Sequence, residues 1–229
     1  MQFAGLQKMT LLDFPGLIAC TVFLPGCNLR CPFCHNASLV LPEREKDVIT
    51  QEDLLEFLTS RKGKLDGVCI TGGEPTLYRE LPEFLRKVKA LGFQVKLDTN
   101  GTAPQMLHHI IEHDLCDYVA MDIKNSPEKY TLTCGGKEVL EQVRESAKLL
   151  MDGTKDYEFR TTAMHPYHKP EDFAAIGRWL KGAKRYFIQN FVDSGDLLSS
   201  GMESLSENEM KALQIAVQEY IPNTQLRGM

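Results

Sequence analysis

Residues 67–101 read GVCITGGEPTLYRELPEFLRKVKALGFQVKLDTNG, and the punctuation of this stretch decides the fold. GVCITGG (67–73) is a β-branched run closed by two glycines, which predicts a strand. LPEFLRKVKALG (81–92) carries apolar residues at helical spacing, with Gly92 as its stop signal. FQVKLDTNG (93–101) then predicts another strand.

The same alternation runs through the rest of the chain. Strands are predicted over 18–24 (IACTVFL), 117–124 (DYVAMDIK), 157–164 (YEFRTTAM) and 185–191 (RYFIQNF). Helices are predicted from Thr50 as cap through TQEDLLEFLTSR, then over 103–114, 137–153, 170–182 and, with Ser206 as cap, 206–220. Six strands, each followed by a helix, predict an α/β fold with parallel strands, a partial (β/α)6 TIM-like barrel in a single domain. Residues 1–192 would form it, and 193–229 a C-terminal extension with one helix.

In such a fold the ligands sit at the C-terminal ends of the strands. Three features fall there: a cysteine loop after the first strand, Gly72–Gly73–Glu74–Pro75 after the second and Asp98–Thr99–Asn100–Gly101 after the third. Strand parity adds to this, because alternate residues face opposite sides. Gln94, Lys96 and Asp98 share one face, Ala120, Asp122 and Lys124 another, and Glu158, Arg160 and Thr162 a third. The partner faces, Val95/Leu97 and Val119/Met121/Ile123, suit packing against helices. The charged faces therefore point inward, where unpaired charge is costly, and a polar ligand is expected among them.

Composition narrows the function classes. A net charge of −5 without a basic run gives no footprint for nucleic acid or an anionic membrane surface. The longest apolar stretch, Leu17–Leu24, is too short to cross a bilayer, and no secretory signal is expected. Seven cysteines, an odd number, point to a reducing cytoplasm and not to a disulfide framework.

Three of those cysteines lie in GCNLRCPFCHN (26–36), at Cys27, Cys31 and Cys34. Structural zinc takes four ligands, its cysteines coming in separated pairs. His35 as a fourth ligand would have to meet the same metal as its neighbour Cys34. Ferredoxin clusters use four thiolates, so three on a cubane leave one iron open for a substrate or cofactor. Cys20 and Cys69 read as small buried hydrophobes, while Cys116 and Cys134 have no assigned role. His109 and His113 read as solvated, His165 and His168 on the active face as either substrate contacts or loop histidines, and Arg44–Asp47 as a surface charge cluster. Asp193–Gly201, rich in Ser and Gly, reads as a mobile segment.

The spacing C-x₃-C-x₂-C, with Phe33 before the last cysteine, resembles the radical S-adenosylmethionine (SAM) enzymes. The resemblance implies a 4Fe–4S cluster on Cys27, Cys31 and Cys34, with SAM chelated to the open iron. Gly72–Gly73–Glu74 looks like that family's GGE motif, which meets the SAM ammonium. Phe33, Asp98, Asn100, Lys124 and Arg160 are further implied SAM contacts, and Asp98 with Asp122 an implied monovalent-cation site.

More narrowly, DFPG (13–16), the cysteine loop, GGEPT, LDTNG and MDIK resemble glycyl-radical activating enzymes. Among these, the length, the absence of extra ferredoxin-type cysteines and the LRG at 226–228 are most similar to the longer anaerobic ribonucleoside-triphosphate reductase activating proteins. The implied reaction is reductive cleavage of SAM to methionine and a 5′-deoxyadenosyl radical, which takes a hydrogen from a glycine α-carbon of a partner enzyme. The implied electron donor is a flavodoxin or ferredoxin. Competing readings are activation of a pyruvate formate-lyase type enzyme, a small-molecule radical SAM enzyme such as a deazapurine synthase, and a non-catalytic iron–sulfur or zinc module.

Overall fold

Strand β3 (Ala19–Leu24) shows how these segments become structure: its branched and aromatic side chains suit a strand covered on both faces, and all but Phe23 are buried. The computed structural model describes residues 1–34, 36–41 and 48–228, so His35 and the charge cluster at 44–47 lie outside the described residues. Two compact units divide the chain. The first holds Met1–Asn28, Ser38–Thr99 and Ala103–Ala120; the second holds Leu29–Ala37, Asn100–Thr102 and Met121–Met229.

In the first unit β3 pairs antiparallel with β2 (Gly5–Thr10) and parallel with β5 (Gly67–Gly72), which pairs parallel with β6 (Gln94–Thr99). A two-stranded ribbon joins β1 (Gln2–Phe3) to β4 (Ile49–Thr50). Between β3 and β4 runs the short helix α1 (Ala37–Val40). Thr50 caps α2 (Gln51–Ser60), its hydroxyl accepting the Asp53 amide at 3.1 Å, as its sequence signature predicts. Helix α3 (Leu81–Ala90) buries Leu81, Phe84, Leu85 and Val88, the i, i+3, i+4, i+7 stripe of an amphipathic helix. Each such side chain contributes about 1.5–3 kcal/mol of burial. Helix α4 (Pro104–Glu112) does the same with Leu107 and Ile110.

The DFPG segment acts as a structural plug in this unit. Asp13 accepts the Thr21 hydroxyl at 2.6 Å, and Phe14 packs with Ala19 and Tyr118. A Cβ on Gly67 would lie 2.9 Å from the Phe14 ring, so that glycine makes room for the plug.

Strand β7 (Tyr118–Asp122) begins in the first unit and ends in the second. There the hydrogen-bonded order continues through β8 (Asp156–Ala163), β9 (Tyr186–Asn190) and β10 (Thr224–Arg227), with β8–β9 and β9–β10 parallel. The short α5 (Tyr130–Thr133), α6 (Leu140–Asp152), α7 (Pro170–Trp179) and α8 (Glu207–Gln218) complete the unit. Ser206 caps α8 as expected, in a reciprocal box with Glu209.

All six expected strands form, and four more appear among the described residues. β1 and β4 are two residues each, too short for a periodic signal. β2 exposes Gln7, Lys8 and Met9 in succession, so no apolar alternation marks it. β10 has only four residues, TQLR, and forms because it adds to an existing edge. Residues 193–229 thus fall within the second unit and supply one of its strands.

Candidate active site

The end of β5 is shaped by its own chain. A Cβ on Gly72, which has φ +128°, would lie 2.3 Å from the backbone N and O of Leu24; one on Gly73 would lie 1.8 Å from the Gly26 carbonyl oxygen. The Gly73 amide donates to Leu24 O at 2.9 Å and the Glu74 amide to Gly26 O at 2.8 Å. The two glycines therefore let the strand end lie against the residues that lead into Cys27. Glu74 is fully buried, and its Oε1 accepts from the Thr76 amide (3.1 Å), the Thr76 hydroxyl and the Thr99 hydroxyl (2.8 Å).

On β6, parity places Lys96 and Asp98 on the face opposite Val95 and Leu97, as the sequence predicts. Both are buried, and they form an ion pair with each other. Cys69 stands in register with Lys96 on β5 and shares this polar contact, so it is more than the small hydrophobe its strand position suggests.

In the second unit, Cys31 and Cys34 belong to one turn, in which the Cys34 amide donates to Cys31 O at 3.0 Å. Cys31 is buried, and its thiol is brought down to about 7. The main cause is a hydrogen bond with the Cys134 side chain, opposed by burial and aided by the charge of Lys124. Burial pushes the Cys34 thiol up. The chain after α5 reaches this loop closely enough that a Cβ on Gly135 would lie 2.3 Å from Arg30 O. Cys134, for which the sequence offered no role, is thus a neighbour of a cluster-loop thiol.

Phe33 is buried against Tyr167 and His168, with ring centroids 6.0 and 6.2 Å away. His168 is also buried; its Nε2 meets Lys124 O at 3.0 Å and its Nδ1 meets the Met164 amide at 3.4 Å. An amide can only donate, so Nδ1 accepts and Nε2 carries the proton. That tautomer fixes the backbone of Lys124. No sequence pattern marks it, because Lys124 and Phe33 lie far from it along the chain.

Asp122, Lys124 and Arg160 form one ionic group: Lys124 Nζ lies 2.9 Å and Arg160 Nε 2.5 Å from the Asp122 carboxylate. Burial opposes ionisation of Asp122, but Arg160 and Lys124 hold its carboxyl well below the usual range. Burial likewise disfavours the charged form of Lys124, yet Asp122 and Cys31 raise it above an ordinary lysine. Asn100 is buried in the turn after β6, its Oδ1 accepting the Thr102 amide (3.0 Å) and hydroxyl (2.6 Å). Glu158, which shares the β8 face of Arg160, is 1 % exposed and is met bidentately by Arg227 of β10 at 2.8 and 3.0 Å. The Asp193–Gly201 segment is tied to the cysteine loop through Ala37 N to Asp196 O (3.1 Å) and Ser199 N to Pro32 O (3.2 Å).

The donor set fits an iron–sulfur cluster. None of the seven cysteines is in a disulfide, and the environment of Cys31 favours its thiolate.

Comparison with known proteins agrees with this chemistry. Residues 21–180 match the radical SAM superfamily, and the chain belongs to it. A relative from Methanocaldococcus jannaschii, named as a glycyl-radical enzyme activating enzyme, is 32% identical over 98% of this chain and 95% of its own length. The pyruvate formate-lyase-activating enzyme of Clostridium pasteurianum is 36% identical over 53% of this chain and 51% of its length. Within the superfamily, then, this is a radical SAM enzyme of the glycyl-radical-activating kind. Streptococcus suis SuiB, solved with its precursor peptide SuiA, matches 95% of this chain and 50% of that one, with a TM-score of 0.70 and 17% identity. That likeness shows the fold alone, the α/β class with parallel strands of the partial-barrel type.

Proposed function

We propose that this enzyme activates anaerobic ribonucleoside-triphosphate reductase by forming a glycyl radical on it. The observation that carries the reading is the run of three cysteines, none in a disulfide, that follows β3 in the chain, together with a buried Glu74 at the end of the neighbouring strand β5. Cys27, Cys31 and Cys34 would hold the 4Fe–4S cluster. Gly72, Gly73, Glu74, Phe33, Asp98, Asn100, Lys124 and Arg160 would bind SAM.

Bound together, cluster and SAM supply one-electron cleavage of the sulfonium C–S bond, yielding methionine and, once hydrogen has left the glycine α-carbon, 5′-deoxyadenosine. The electron would come from a flavodoxin or ferredoxin. The protein's own part is placement. Cys134 and Lys124 favour the thiolate of Cys31, and His168 holds both the Lys124 backbone and the Phe33 ring. A glycine suits the site because its backbone can enter without a side chain. Seven cysteines with no disulfide among them agree with a reducing cytoplasm, and no helix among the described residues is long and apolar enough to cross a membrane. A pyruvate formate-lyase type partner is the second reading, favoured by the Clostridium relative.

Anaerobic reconstitution followed by dithionite and SAM should yield 5′-deoxyadenosine, and Cys31→Ser should yield none. Wild-type cleavage by that variant would remove the cluster assignment. With partner present, electron paramagnetic resonance should report a glycyl radical on the reductase and none on pyruvate formate-lyase; the reverse would establish the second reading.

A further inference from the structure

In the first unit, the segment leading from β3 into Cys27 runs against the segment leading from β5 through Glu74. Three consecutive carbonyls of the first segment, those of Leu24, Pro25 and Gly26, each accept a hydrogen bond from the second. Leu24 O takes the Gly73 amide at 2.9 Å, and Gly26 O takes the Glu74 amide at 2.8 Å. Between them, Pro25 O takes the Tyr78 hydroxyl at 2.6 Å. The Gly26 amide donates to Leu39 O of α1 at 2.6 Å. A proline has no amide hydrogen, so the carbonyl is the one group by which the Pro25 backbone can be held.

The outer two of these three bonds join backbone to backbone, and side-chain substitutions leave their partners in place. The middle one comes from a side chain. Tyr78 closes the 3₁₀ turn Pro75–Leu77, its amide donating to Pro75 O at 3.1 Å. Glu74 opens the same turn, its carboxylate accepting the Thr76 amide at 3.1 Å. Carboxylate and phenol are therefore the two ends of one hydrogen-bonded turn, and the phenol reaches the residue two before Cys27. Gly26, with φ +78°, has no side chain with which to fix the loop itself.

We propose that Tyr78 is a positioning residue of this enzyme: its hydroxyl locks the entry of the cysteine loop to the Glu74 turn, so that Cys27 and the Glu74 carboxylate keep one fixed relation. The inference rests on the reading of Cys27 as a cluster ligand and of Glu74 as a SAM contact. One neutral hydrogen bond is worth about fivefold in an equilibrium constant. Linkage makes a coupling of this kind felt at both of its ends.

The test uses Tyr78→Phe, which removes one oxygen and keeps the ring. Two quantities are measured on anaerobically reconstituted enzyme. One is SAM affinity by titration calorimetry; the other is the rate at which a ferrous chelator strips iron from the dithionite-reduced protein without SAM. Tyr78→Phe should bind SAM about fivefold more weakly and lose iron about fivefold faster. Replacing Tyr78 by 4-aminophenylalanine restores a donor on the same ring and should return both quantities toward wild type. A value within about twofold of wild type for either quantity in Tyr78→Phe overturns the proposal, because a lock acts on both ends. A double loss that 4-aminophenylalanine does not restore also overturns it, and assigns the effect to ring packing. Failure of wild type to bind SAM overturns the SAM reading and this inference with it. Wild-type binding that Tyr78→Phe leaves unchanged overturns this inference alone.

Discussion

A carboxylate with no exposed surface persists only where donors meet it, and Glu74 is met by two hydroxyls and an amide. The threonines at 76 and 99 hold that carboxylate in place. Removing it strands their buried hydroxyls, at about 1–3 kcal/mol in such cases. Glu74→Ala should therefore lower the unfolding free energy by about 2 kcal/mol in urea. The same variant should raise the SAM dissociation constant, since the strand end loses its anchor. Unchanged affinity by calorimetry, with the stability loss present, would make Glu74 a purely structural residue.

At the scale of elements, the four-residue β10 does more than its length suggests. Arg227 on it meets buried Glu158 of β8 with both guanidinium nitrogens, and its guanidinium carbon lies 3.4 Å from the Phe187 ring centroid on β9. One side chain thus ties three consecutive strands of the second unit, through a bidentate ion pair and a cation–π contact. Without Arg227, buried Glu158 would lose its bidentate ion pair. Arg227→Ala should cost about 2–3 kcal/mol in chemical denaturation, and Arg227→Lys should recover only part because a single ammonium cannot form the fork. A loss below about 0.5 kcal/mol, typical of a plain surface position, would show that the pair carries no stability.

For the whole molecule, acid stability has an identifiable contributor in the α8 cap. Hydrogen bonds from the Ser206 hydroxyl and amide, then the contact with His165, hold Glu209 down at about 2, against an ordinary 4.5. A depressed carboxyl stabilises the fold above its unfolded value and loses that contribution as pH falls through its folded value. The contribution of Glu209 is therefore complete above pH of about 4.5 and fades toward about 2. Melting temperatures of wild type and Glu209→Gln should differ most above pH of about 5 and converge on acidification. A gap that stayed constant with pH would exclude this titration as its source.

The readings that held from sequence have local causes. Helix caps at Thr50 and Ser206 are decided within four residues, strand faces at 95–98 by parity, and the cysteine spacing by covalent order. Those signals reside in neighbours along the chain, and the sequence by itself determined the α/β alternation, the inward charges and the cysteine-rich loop. Tertiary structure alone decided what those charges do. Lys96 proved to be the partner of Asp98, Arg227 the partner of Glu158, and Gly73 the point where β5 meets the backbone of Gly26. Cys134 became a neighbour of Cys31, and His168 the support of Lys124. Parity fixes which way a side chain points but not what meets it. Burial makes that second fact decisive, since an inward charge must find its counter-charge on another strand, and only the folded chain brings the two together.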